Sequence, residues 1–202
     1  MPARPSRHAV EELQGDLFSS APLASTPTPD LPIKPDQLQA WQQRLHDFQS
    51  PRFRRDVCDA GQVDLFGESS CDAANAINPL ALTPLPLSFW RWADSPHRGA
   101  AIYLVLDRPP HLEQPLLLYV GETKAADQRW KGEHDCKAYL AAYGEALQRC
   151  HMAHQLSIRF YTDVPSDTRA RRRLEQQLIQ HWNPPFNKET RQRWATPFTA
   201  DT

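Results

Sequence analysis

Two stretches decide the fold: Ala101-Ile102-Tyr103-Leu104-Val105-Leu106 and Leu116-Leu117-Leu118-Tyr119-Val120-Gly121. Ala100 to Leu106 is a continuous apolar run that Pro109-Pro110 stops, and Leu116 to Val120 is a second run that Gly121 ends. The loop between them, Arg108 to Gln114, suits an antiparallel hairpin. Further along, Leu156, Ile158 and Phe160 alternate with Ser157, Arg159 and Tyr161, the period of a half-buried strand. Ala125 to Gln148 has helical composition, with breaks expected near Gly132 and Gly144. Ser166 and Asp167 form an N-cap and first turn for a helix to about His181, with Ala170, Leu174, Leu178 and Trp182 on its apolar face. Pro184-Pro185 terminates it. The order β-β-α-β-α predicts a small α+β domain, a three-stranded antiparallel sheet flanked by helices.

Upstream the composition shifts. Twelve of the 19 prolines fall in residues 1–96, and Pro22, Pro27, Pro29, Pro32 and Pro35 stand among Ser, Thr and Ala. Such a segment sustains neither a helix nor a central strand, so residues 1–78 are expected to be a largely disordered tail. It carries one short helix, 36–50: Leu38, Trp41, Leu45 and Phe48 share a face, Asp36 is the expected N-cap, and Pro51 ends the pattern. That helix is expected to pack on the main domain. Leu80 to Trp92, ending in Phe89-Trp90-Arg91-Trp92, is too apolar for a free linker, and residues 79–98 are expected to lie extended across the domain as its entry segment. The domain proper spans 99–190, and 191–202 is a tail.

The 202 residues carry a net charge of −1, which by itself does not advertise a polyanion partner. The distribution is uneven. Residues 1–96 hold 8 Lys/Arg against 12 Asp/Glu, and residues 97–202 hold 15 against 12, with six of the eight histidines. The mildly basic half points weakly to a polyanion. Cys58, Cys71, Cys136 and Cys150 show no zinc spacing, and scattered cysteines fit free thiols inside a cell. No apolar run is long enough to span a membrane, and the first ten residues lack the hydrophobic stretch of a signal peptide. A cytoplasmic, nucleoid-associated monomer is expected.

Gly99 to Glu189 resembles the GIY-YIG nuclease family, with the family's elements in order. Ala101-Ile102-Tyr103 stands where the family has Gly-Ile-Tyr, and Tyr119-Val120-Gly121 where it has Tyr-Ile-Gly. Arg129, His134, Glu175 and Asn187 follow, and Leu174-Glu175-Gln176-Gln177-Leu178-Ile179 with Asn183-Pro184-Pro185-Phe186-Asn187 is similar to the family's closing signature. The resemblance implies hydrolysis of a phosphodiester in DNA with one divalent metal, Mg²⁺ or Mn²⁺. A phosphodiester is already anionic, so attack by water requires charge neutralisation and a positioned nucleophile. Glu175 then supplies the metal-binding carboxylate, Arg129 holds the phosphate with its planar fork, and one of Tyr103 and Tyr119 helps deprotonate water. His134 is a proton shuttle and Asn187 an orienting group. Lys124, Arg169, Arg171, Arg172 and Arg173 are expected to contact the DNA backbone. Two departures stand out: Ala101 replaces the first glycine, and His134 lies five residues after Arg129 rather than the more usual four. Taken singly, a strand tyrosine is packing and Glu175 a solvated helix residue with Arg171 or Arg172 as its ion-pair partner; the joint pattern carries the functional reading.

The tail repeats a peptide. Gln14-Gly15-Asp16-Leu17-Phe18 and Gln62-Val63-Asp64-Leu65-Phe66 share Gln-x-Asp-Leu-Phe. Both resemble the pentapeptide by which bacterial polymerases and repair proteins dock on the replicative sliding clamp, Leu and Phe filling a pocket and Gln making polar contacts beside it. The expectation is therefore a clamp-recruited DNA-repair endonuclease that nicks one strand. Two alternatives stay open: a non-catalytic DNA-binding adaptor on the clamp, and a restriction- or homing-type sequence-specific endonuclease.

Overall fold

The run that opens the domain becomes the middle of a sheet. In a computed structural model, which describes residues 33–54, 77–132 and 135–198, Ala101–Asp107 forms β1, and every residue of it is buried. β2 (Leu116–Thr123) and β3 (Ser157–Tyr161) pair with it antiparallel, in the order β2-β1-β3. A central strand covered on both faces has no reason to alternate polar and apolar residues, which explains the continuous apolar run. Ala101, Tyr103 and Val105 enter one core with Leu38, Trp41, Leu45, Leu140, Tyr143 and Leu147. Ile102, Leu104 and Leu106 enter the other with Leu174, Leu178, Ile179 and Trp182. The expected α+β class with a three-stranded antiparallel sheet is the one observed.

The remaining helices are α1 (Pro35–Arg54), α2 (Ala126–Arg129), α3 (Asp135–Arg149), α4 (Thr168–Trp182) and α5 (Arg191–Trp194). Asp167 caps α4 as expected, its side chain accepting from the Ala170 amide at 2.8 Å. Asn183, at φ +45°, closes the helix in the left-handed conformation ahead of Pro184-Pro185. The chain breaks between α2 and α3, around Gly132, but Gly144 lies inside α3 and breaks nothing.

Three other expectations are corrected. Pro51 does not end α1, and Asp36 is not its cap. The helix starts at Pro35, where the Lys34 carbonyl accepts from the Gln37 and Leu38 amides. It continues to Arg54 because tertiary contacts hold the turn beyond Pro51: Arg52 Nε donates to the His181 carbonyl at 2.8 Å, and Phe53 packs on Trp182 with ring centroids 4.5 Å apart. Residues 191–198 are not a loose tail. Trp194 is buried, its Nε1 donating to the Asn183 carbonyl at 2.7 Å and its carbonyl accepting from Trp41 Nε1 at 3.2 Å. Nor does Gly121 end β2, which runs to Thr123. Gly121 lies opposite Tyr103, and a Cβ there would sit 2.3 Å from Tyr103 Cζ. Only glycine lets the tyrosine ring lie flat against the neighbouring strand.

The entry segment covers the outer edge of β3. Leu85 forms a two-way bridge with Ile158, at 2.8 and 2.9 Å, and Phe89 is fully buried in a 3-10 turn at Phe89–Arg91. Arg159, expected on the solvent side of β3, is buried and donates to the Pro79 and Leu82 carbonyls at 2.8 and 3.2 Å. The outer edge of β2 is covered differently, by side chains. Gln49 of α1 accepts from the Leu117 amide at 2.8 Å and donates to the Leu117 carbonyl at 3.0 Å. Asn187 does the same for Val120, at 3.0 and 2.8 Å. Phe186 N donates to the Leu118 carbonyl at 3.0 Å, and Glu175 accepts from the Glu122 amide at 2.9 Å. No described helix is long and apolar enough to cross a membrane.

Two glycine substitutions should therefore diverge. Gly121→Ala forces apart a buried ring and its strand and is expected to lower the unfolding free energy by about 2–4 kcal/mol. Gly144→Ala, whose Cβ meets nothing within 4 Å in a helix interior, is expected to raise it by about 0.5–1 kcal/mol. Urea unfolding of both variants checks the pair.

Candidate active site

The aromatic half of the site follows from strand register. Tyr119 faces Val105, so Tyr103 and Tyr119 are diagonal neighbours on one face of the hairpin rather than directly opposed. Their rings stack at 5.9 Å with 26° between planes. Tyr103 is fully buried and Tyr119 half-buried. The short helix α2 then brings in Arg129, whose Nε donates to the Tyr103 hydroxyl at 3.2 Å. Bound through Nε, the guanidinium keeps its terminal nitrogens for another acceptor. Trp130, the next residue, meets the Tyr103 ring edge-on at 6.0 Å.

Burial pushes the Tyr103 phenol up to about 12, against the pull of the Arg129 guanidinium. Tyr119 is pushed up as well, first by burial and then by Tyr103, Cys136 and the Glu175 carboxylate. Both phenols carry their protons at neutral pH. For Arg129, burial opposes the charge but the two tyrosine oxygens outweigh it, so its pKa rises.

The carboxylate half comes from the β2 edge. Glu175, on α4 and half-buried, spends one oxygen on the Glu122 amide. Its pKa is raised, chiefly by burial, with the Glu122 and Glu189 carboxylates adding to the rise and the Glu122 amide and Arg172 opposing it. Glu122 is itself ion-paired, to Arg171 Nε at 2.9 Å and Arg172 Nε at 3.7 Å. Among the described residues no three or more His, Cys, Asp or Glu side chains converge into a metal cage. What is present is one half-buried carboxylate with a second oxygen available and like charges around it. That donor set fits a hard divalent cation of the kind that keeps most of its waters and takes one or two carboxylates from protein.

Of the sequence candidates, Tyr103, Tyr119 and Arg129 form one cluster, Glu175 is bound to the same strand as Tyr119 at the Glu122 amide, and Asn187 fixes Val120 beside Tyr119. Asn187 is buried and spent on backbone, so it positions the strand. His134 lies outside the described residues, as do Gln14, Asp16, Leu17, Phe18, Gln62, Asp64, Leu65 and Phe66. Lys124, Arg169, Arg172 and Arg173 are exposed. Arg171 is corrected: it is only 1% exposed, and besides Glu122 its guanidinium donates to the Pro165 and Ser166 carbonyls at 3.1 and 3.2 Å. It is a buried ion-pair residue, not part of a basic surface. Its partner, Glu122, was missed; the signal was a carboxylate placed directly after Tyr119-Val120-Gly121 at the end of an apolar strand.

Comparison with known proteins identifies no relative: no protein-family model matches the chain, no curated protein matches it, and no solved structure matches it.

Asn187→Ala leaves two buried backbone groups of Val120 without partners. At about 1–3 kcal/mol for each orphaned group, the variant is expected to lose about 2–4 kcal/mol of stability in urea unfolding. An unchanged midpoint would return Asn187 to a role in binding or chemistry.

Proposed function

We propose that this chain is a metal-dependent DNA endonuclease of the GIY-YIG type, nicking one strand per active site. The observation that carries this reading is the gathering of a half-buried carboxylate, a stacked tyrosine pair and an arginine at one end of β2, from four segments distant in sequence. Tyr103, Tyr119, Arg129 and Glu175 are among the residues that the resemblance singles out.

In this reading the terminal nitrogens of Arg129 grip the scissile phosphate, while Tyr103 holds the guanidinium in place through Nε. Glu175 is the residue that would hold Mg²⁺ or Mn²⁺, which supplies charge neutralisation at the phosphate and lowers the pKa of bound water. The protonated Tyr119 hydroxyl orients the attacking water. Water adds to phosphorus, one ester P–O bond breaks, and the proton that the water loses is passed to the leaving oxygen. Arg169, Arg172, Arg173 and Lys124 supply positive charge for flanking phosphates. Recruitment to a sliding clamp through Leu17-Phe18 and Leu65-Phe66 rests on the sequence repeat alone.

Glu175→Gln retains an oxygen for the Glu122 amide but loses the charge, so it tests chemistry without removing the edge contact. Nicking of supercoiled plasmid with Mg²⁺ or Mn²⁺ is expected to fall at least about a hundredfold in this variant. Arg129→Lys, which loses the fork, is expected to fall at least about tenfold. A Glu175→Gln protein that nicks at the wild-type rate would overturn the proposal. For the tail, replacing Leu17, Phe18, Leu65 and Phe66 together by Ala is expected to abolish clamp capture in calorimetry and leave clamp-free nicking unchanged. Wild-type clamp affinity in that variant rules out the docking role.

A further inference from the structure

Beside the tyrosine pair lies a second feature that the nicking chemistry does not use. A cleft of about 350 Å³ is lined by Leu87 and Trp90 of the entry segment, by Trp130, and by Lys137, Leu140 and Ala141 on one face of α3. Phe89 anchors the segment from below, its ring meeting Trp130 at 6.4 Å and Phe160 at 5.2 Å. The half-buried Trp90 is thereby fixed in place, and Trp92, 47% exposed, is the one large hydrophobic side chain exposed among the described residues.

The cations around the cleft are ordered by the rings. Arg91 lies over Trp90 at 5.0 Å, and Lys137 Nζ sits 5.6 Å from the Trp90 ring and 5.9 Å from the Trp130 ring. Lys137 is also pinned by the Trp130 and Gly132 carbonyls, at 2.6 and 2.7 Å. Two of its three N–H groups are thus used, and a ligand that takes the third orders a side chain that is already ordered. Among the described residues no carboxylate lines the cleft.

We propose that this cleft holds an unpaired nucleobase, stacked on Trp90 with Lys137 and Arg91 at its phosphate, next to the strand gripped by Arg129. The inference rests on the nuclease reading and names its substrate class: DNA with a base outside the duplex stack. Three observations carry it. An aromatic face with cations interleaved is the chemistry that binds unstacked bases without reading their sequence. The rim is basic where a phosphate would lie. Finally, Trp130 belongs to both features, lining the cleft and touching Tyr103, and Arg129 is its neighbour in the chain. A base paired within a duplex presents no free face to Trp90, so the cleft discriminates.

Binding is read by fluorescence anisotropy with the full chain and no divalent metal, so that nothing is cut. The probes are a labelled paired duplex and the same duplex carrying one extrahelical base. Wild type is expected to bind the second at least about fivefold more tightly. Trp90→Ala is expected to lose that preference while keeping its affinity for the paired duplex within about twofold. Trp90→Phe, which retains a ring, is expected to keep most of it. Arg91→Gln, an exposed change that keeps the fold, is expected to weaken the extrahelical-base complex and flatten its salt dependence, so the inference stays testable if Trp90→Ala proves unstable. Equal binding of the two DNAs by wild type overturns this inference and leaves the nuclease reading intact. A preference that persists in Trp90→Ala also overturns it. No binding of either DNA overturns the nuclease reading itself.

Discussion

An edge strand inside a folded domain must find partners for its outward amides and carbonyls, and β2 finds them in side chains. Gln49, Asn187 and Glu175 stand where a fourth strand would donate and accept, with the Phe186 amide between them. Each buried group left unpaired would cost about 1–3 kcal/mol, so the constraint is strong relative to the net stability of a domain. It recruits α1, α4 and the turn after Pro184-Pro185 to one strand. The same constraint fixes the proposed chemistry. Glu175 caps the Glu122 amide, which fixes its carboxylate to the strand that carries Tyr119.

Burial of charge is the second thread. Asp107, at the end of β1, is fully buried; it accepts from the Tyr143 hydroxyl at 2.8 Å and from the Gln155 amide at 2.8 Å, while Gln42 Nε2 donates to that hydroxyl at 2.6 Å. This chain ties α1 and α3 to the sheet. Burial outweighs those hydrogen bonds, so the Asp107 pKa, like that of Glu175, is raised. The sign follows: both groups favour the fold most below the ordinary carboxylate range, and that contribution is lost as pH rises through the raised values. In the proposed reading, a cation held by Glu175 at neutral pH would offset the loss there.

How far the sequence could be read depends on whether the deciding interaction was local. The strand runs and the Asp167 cap of α4 were legible because apolar periodicity and capping are short-range. The closeness of Tyr103 and Tyr119 follows from the hairpin that the two apolar runs predict, whereas the approach of Arg129 and Glu175 to that hairpin was expected only through the resemblance. The end of α1 was misread because the turn beyond Pro51 is held by His181 and Trp182, more than a hundred residues away. Arg171 looked like its neighbours Arg169, Arg172 and Arg173, and only the tertiary fold selects it for burial against Glu122. The Gln49 and Asn187 clasps were equally invisible, since a carboxamide on a helix or turn does not announce a strand edge as its partner.

In the proposed reading Glu175 is the cation-holding residue, and Mn²⁺ binding to the 202-residue chain measures that directly. In an electron paramagnetic resonance titration wild type is expected to bind one Mn²⁺ that Glu175→Gln does not, with the variant otherwise folded. Equal Mn²⁺ binding by the two proteins, or none by either, would contradict it.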